Sequence, residues 1–206
     1  MSFLRDLFGP SRREIWQQFA DAVGGRMVEG GFWNGSDRVE ATHGQWTVTL
    51  DTFVVSTGKS AIPFTRMRAP YVNPDNFRFT IYRKSIFSDL GKWFGMQDIE
   101  TGDRSFDEAY IVKSNDEAKV RRLLAAPRLR YLIRLQPEIQ FSVKDDENNF
   151  WTGRNFPTGV DELYFQVAGT ITDMDRLKQL YDLFSETLDE LCKMGSAYED
   201  DPGVKV

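Results

Sequence analysis

The sequence predicts an α+β fold, a largely antiparallel sheet packed against helices, the last of them long. Three observations predict it. Apolar residues alternate with polar ones at a period of two in several short runs, and elsewhere they recur at helical spacing behind capping residues. The strand-like runs also come in groups instead of alternating with helices, which favours hairpins and a sheet covered on one face. The chain has 206 residues, 41% hydrophobic and 14% aromatic. That is enough to bury roughly 70% of the extended surface. Disorder, collagen and coiled coil are excluded as descriptions of the whole chain. One α+β domain is expected over residues 1–195, followed by a flexible acidic tail, 196–206, with Glu199, Asp200, Asp201 and Pro202.

The first element is a short amphipathic helix. Ser11 and Glu14 form a capping box, Ile15, Trp16, Phe19 and Val23 make the apolar stripe, and Gly24 and Gly25 stop it. About five strands follow. Trp46, Val48 and Leu50 alternate with Thr47, Thr49 and Asp51, and Phe77, Phe79 and Ile81 alternate with Arg78, Thr80 and Tyr82. Ile86, Phe87, Leu90, Trp93, Phe94 and Met96 then return to helical spacing and predict a short helix. After one more strand, Ser114 and Glu117 predict a cap for a helix carrying Leu123 and Leu124. Pro127 ends it and starts a second helix with Leu129, Leu132 and Ile133.

Three strands are expected next, among them Ile139, Phe141 and Val143 and then Leu163, Phe165 and Val167, around the turn-prone run from Asp145 to Asn149. The final helix is expected to open at Thr172 with Asp175. It keeps Met174, Leu177, Tyr181, Phe184, Leu188 and Leu191 on one face until Gly195. Two refinements stay open. One is a helix-grip arrangement, with a curved sheet around the long helix. The other is an internal duplication, since Phe32-Trp33-Asn34-Gly35 echoes Phe150-Trp151-Thr152-Gly153.

Charge and cysteine content restrict function. A net charge of −5 argues against nucleic-acid affinity of the whole chain. Cys192 is the only cysteine and His43 the only histidine, so an intrachain disulfide is excluded, no zinc site is expected within one chain, and a reducing compartment fits. Met1 to Pro10 lacks the apolar core and cleavage site of a secretory signal, and no run is long and apolar enough to cross a bilayer. A cytoplasmic protein is expected, of bacterial origin. No cofactor motif is present: Gly24, Gly25, Gly30 and Gly31 lack the spacing of a phosphate loop. His43, beside Gly44, reads as a surface-turn histidine and Cys192 as helix packing.

Gly102-Asp103, then Phe106-Asp107, a short run from Tyr110 to Lys113 and a helix closing on Leu123, Leu124 and Pro127 make a distinctive series. It resembles a bacterial family of uncharacterised proteins that share Gly-Asp-x-x-Phe-Asp followed by a strand and a helix. The resemblance covers residues 85 to 135. Some members of that family look membrane-anchored, and no activity, cofactor or substrate comes with it.

Three groups of residues are candidates for function. Asp98, Asp103 and Asp107, with Glu100 and Glu108 nearby, are carboxylates of the kind that hold a hard cation or exchange protons. The favoured reading is architectural, with Gly102 supplying a positive φ, Asp103 an Asx turn and Phe106 an anchor at the start of a strand. Residues 113–134 carry a local charge of +5, leaving −10 for the rest. Within it, Arg121, Arg122, Arg128, Arg130 and Arg134 are candidates for binding phosphate, anionic lipid or an acidic protein, against the plainer reading of a solvated helix face. Phe3, Leu7, Phe87, Trp93 and Phe94 form the candidate interaction surface, with core packing as the alternative.

The leading expectation is a non-catalytic domain that binds another protein or a small apolar ligand. A carboxylate-dependent hydrolase or metal enzyme is the first alternative. Peripheral docking of anionic lipid or polyanions through the basic helices is the second.

Overall fold

The computed structural model describes residues 10–31, 36–56, 58, 60–86, 97–145, 156–204 and 206. The chain opens with helix α1 (Arg12–Ala22), in which Ser11 and Glu14 exchange both bonds of the expected capping box. Strands β1 (Arg26–Val28), β2 (Arg38–His43), β3 (Trp46–Ser56), β4 (Ala61–Val72) and β5 (Phe79–Arg83) follow, then a 3-10 turn (Lys84–Ile86) and β6 (Gln97–Asp98). Helix α2 (Arg104–Ala109), strand β7 (Tyr110–Ser114) and helices α3 (Glu117–Leu124) and α4 (Pro127–Arg134) come next. Strands β8 (Gln140–Asp145) and β9 (Val160–Ala168) lead to the long helix α5 (Met174–Met194).

The nine strands of the described residues form one sheet in the order β1-β2-β3-β4-β9-β8-β5-β7-β6, and every neighbouring pair is antiparallel. The fold is α+β, as the grouping of strands predicts. Alternation puts Val39, Val48, Leu50, Met67, Phe165, Phe141, Ile81 and Val112 on one face by register, and the helices cover that face. Helix α5 buries Leu177, Leu180, Leu183, Phe184, Leu188 and Leu191, each worth ~2 kcal/mol of apolar transfer. It spans the sheet. The Tyr181 hydroxyl donates to the Thr42 carbonyl (2.8 Å) on β2, while Phe184 meets Phe141 of β8 edge to face (5.6 Å). Trp16 ties α1 to the same layer, its indole N–H donating to the Ile171 carbonyl at 3.0 Å.

Several local expectations are corrected. The caps of α3 and α5 are Asp116 and Asp173, not Ser114 and Thr172, and their carboxylates accept from the Lys119 and Arg176 amides. Ser114 stays in β7, where its hydroxyl donates to the Arg78 carbonyl, and a carboxylate nearer the helix also gains from the helix dipole. Phe106 does not begin a strand. It is the buried residue of α2, a helix that Asp103 caps. Phe77 lies before β5, in a turn whose amide is held by Asn73 and Asp75. Between α4 and α5 the described residues hold two strands, β8 and β9, with residues 146–155 outside them, and the helical segment expected over residues 86–96 is described only in its first residue. Both copies of the Phe-Trp-x-Gly echo lie outside the described residues.

The segment expected to hang free from residue 196 is anchored at its start. Ser196 and Ala197 are buried, the Ser196 hydroxyl donates to Asp75, and the Tyr198 amide donates to the Val72 carbonyl. Gly195 permits this turn, with φ +77° closing α5 in the left-handed conformation. The Glu199 carboxylate lies directly over Gly44, so a side chain there would have to displace it. No helix of the described residues is long and apolar enough to cross a membrane.

Candidate functional site

Asp98 and Asp107 line one cleft of about 260 Å³ with Lys84, Glu100 and Tyr110. Asp103 faces elsewhere. The Asp107 carboxylate accepts from the Thr101 amide (2.8 Å), the Thr101 hydroxyl (2.7 Å) and the Gly102 amide (3.1 Å), closing the loop before α2. Asp103 accepts from the Phe106 amide and the Ser105 hydroxyl at one oxygen and from Arg134 at the other (3.0 Å). Those two local donors, and then Arg134 and Arg130, hold its carboxyl below the usual range. Asp98 pairs with Lys113 across β6 and β7. Among the described residues, no group of three or more His, Cys, Asp or Glu is arranged to hold a metal ion.

The five arginines of the basic segment do not converge on a common point. Arg121 pairs with Glu117 one turn back, Arg128 with Asp182 and Glu186 of α5, and Arg130 and Arg134 with Asp103. Arg122 donates to the Lys193 carbonyl at the end of α5. These contacts join α4 to α5 and to the loop before α2. Phe3, Leu7, Phe87, Trp93 and Phe94 lie outside the described residues. His43 accompanies Asp189 of α5 (2.8 Å) and stacks on Trp46. The Cys192 thiol donates to the Ala197 carbonyl, and burial raises its pKa, which disfavours the thiolate.

Two features escaped sequence reasoning. The first is the centre of the sheet face opposite the helices, which is polar and yet withdrawn from water. One row across the strands runs Thr49, Arg68, Tyr164, Ser142, Thr80, Lys113 and Asp98. Thr49, Arg68, Thr80 and Ser142 are all buried, and among the described residues the hydroxyls of Thr49, Thr80 and Ser142 have no hydrogen-bond partner. The next row holds an ion-pair network centred on buried Asp51. The Arg66 guanidinium donates to both oxygens of Asp51 (2.6 and 2.9 Å), and Arg68 adds a bond at 2.8 Å. Burial opposes the Arg66 charge, but Asp51 outweighs it and raises the pKa. Burial also pushes the Tyr164 phenol up to about 12.

The second feature grows from that foundation. Beyond Thr52 and Thr65, strands β3 and β4 continue as a pair after β2 and β9 have ended, up to Ser56 and Ala61. The result is a projecting hairpin arm. Phe53 and Phe64 stack across it (5.3 Å), and the Arg66 guanidinium lies over Phe53 at 5.0 Å, binding the arm's root to Asp51. Further out, Val54 is 63% exposed, Val55 40% and Ile62 41%. The other large apolar residues exposed among the described ones, Tyr131 and Tyr198, lie elsewhere. The available signal was the length of the apolar run Phe53-Val54-Val55 beyond the Trp46 alternation.

No family model, no curated protein and no solved structure matched this chain in the three comparisons made with known proteins.

Proposed function

We propose that the chain is a non-catalytic interaction domain whose contact element is the β3–β4 arm. The observation that carries this reading is the arm itself. It presents three exposed aliphatic side chains beyond the rest of the sheet, on a base where half-buried Arg66 holds buried Asp51 in bidentate fashion. A rigid base with an apolar, unpartnered extension suits docking, because little side-chain order is lost on contact. The occupant favoured is a protein over a small apolar ligand, since an arm offers an edge and two faces but no enclosure. The carboxylate enzyme draws less support, because Asp107 uses its acceptors on its own loop and Asp103 divides its two oxygens between that loop and Arg134. The polyanion reading is weakened by the acid or carbonyl partner of each candidate arginine. A single cysteine fits work in the reducing cytoplasm, and the Gly102–Asp107 corner keeps the resemblance to the bacterial family as part of this proposal.

The test is site-specific photo-crosslinking in cells that make the protein, with a benzophenone side chain at Val54 and, as a control, at exposed Tyr131. A discrete adduct from position 54 that is missing from position 131 is expected. Equal or absent adducts at the two positions would remove the arm from consideration.

A further inference from the structure

The geometry points to a second copy of this chain as the occupant of the arm, joined by antiparallel pairing of the two β3 edges about a two-fold axis. The inference rests on the interaction reading above and names the partner. Register fixes which backbone groups are free. β2 and β3 are joined by a two-residue turn at Gly44 and Gln45, so the flanking pair His43 and Trp46 exchanges hydrogen bonds across the hairpin. Counting on by twos, the N–H and C=O groups of Thr52, Val54 and Ser56 point away from β4. The structure agrees at Thr52, whose carbonyl accepts from the Ser36 hydroxyl at 2.8 Å on that outer side. Val54 and Ser56 therefore aim their backbone groups outward, where no strand among the described residues pairs with them.

The opposite edge of the arm is blocked at Pro63. Its Pro63 has no N–H to give, and the Pro63 carbonyl already accepts from the Gly169 amide at 2.7 Å. One open edge and one blocked edge allow a pair and prevent a filament. Two-fold antiparallel addition then sets Val54 of one copy opposite Ser56 of the other, making both bonds of a narrow pair on each side of the axis. Val55 meets its own counterpart on the axis.

Charge permits this approach. From Thr52 to Thr65 the sequence carries one charged residue, Lys59, and Asp51 is neutralised by Arg66 and Arg68. Lipid is the poorer occupant, because the sequence between the two strands, Thr57-Gly58-Lys59-Ser60, holds no apolar side chain to insert and the exposed apolar residues lie on the paired strands. The contact is short, well under the ~1,200 Å² of a stable interface, so the dimer must form and dissociate with concentration.

The experiment uses the full-length chain. Sedimentation velocity from about 10 µM to about 1 mM should move from monomer to dimer by mass action. Val54→Pro removes an outward N–H without touching the β3–β4 ladder, and should weaken association at least ~10-fold with an unchanged circular dichroism spectrum. Val55→Cys should give a disulfide dimer on mild oxidation, since facing residues at a wide pair lie ~4.5 Å apart. Val54→Cys should not, because its counterpart is at least ~7–8 Å away on the diagonal. The wild-type chain, with Cys192 alone, is the control. A monomer over the whole range, or equal trapping at positions 54 and 55, overturns self-pairing. A crosslink from Val54 to a different protein with a monomeric chain would retain the interaction reading and discard this one. Loss of both signals discards both.

Discussion

Removing the Asp51 carboxylate is the sharpest test of how the arm is held. Asp51 is 6% exposed and accepts three hydrogen bonds from two guanidinium groups, Arg66 in bidentate fashion and Arg68 through a single nitrogen. Asp51→Ala leaves Arg66 facing an apolar methyl and takes one acid from Arg68, which is 2% exposed. Breaking a buried pair by deleting one partner lowers stability by about 3–5 kcal/mol. With a urea m-value of ~2–3 kcal/mol/M, the unfolding midpoint should fall by about 1–2 M. The double variant Asp51→Ala with Arg66→Met should recover part of this loss, giving a coupling energy of about 1.5–3 kcal/mol, because the stranded charge is gone. Arg66 also leaves the Phe53 ring in these variants, so amide exchange at Phe53 to Ser56 should quicken more than exchange in β8. A midpoint shift under about 0.3 M, or strictly additive single and double variants, would refute the ion pair as the anchor of the arm.

Two further outcomes follow from the same structure. Asp107→Ala strips acceptors from the Thr101 amide and hydroxyl and from the Gly102 amide, and should lower stability by about 1–3 kcal/mol. Differential scanning calorimetry reads this as roughly 2–4 °C of melting temperature per kcal/mol, and an unchanged melt would count against the loop-closing role. The acid limb of stability is the second. Burial opposes ionisation of Glu40 and Asp75, but Arg26 and Arg38, and Lys119 with Ser196, outweigh it and pull the two below their ordinary 4.5 and 3.8. Asp103 lies below 3.8 through Ser105 and Phe106. With native values depressed, the unfolded chain binds protons first, so this stability is present above about pH 5 and is lost as pH falls through about 4 to the native values. Urea titrations from pH 7 to 3 should show that decline, and Asp75→Asn should make it shallower. An identical acid limb in that variant would exclude Asp75 from it.

What the sequence determined by itself is local. Capping at Ser11, the stripe of α5 and its end at Gly195, and the inward alternation of Trp46-Val48-Leu50 are set by backbone dihedrals and side-chain period, which neighbouring residues encode. The caps misplaced by one or two residues, at Asp116 and Asp173, show the limit of that local code where two good capping residues compete. The tertiary structure decided the rest. That β9 lies between β4 and β8, and β8 beside β5, depends on pairings between residues far apart in the chain, as between Met67 and Phe165, with no signal in either segment alone. Alternation distinguishes two faces of a strand but leaves open whether the second is wet. Thr49 and Asp51 stand on the polar side of their alternation and are nonetheless buried, as are Arg68 and Glu162, because burial is a property of what stands opposite a residue. The arm exists for the same reason: β3 and β4 outlast β2 and β9, a difference in length that becomes an exposed edge only when the four strands are laid side by side.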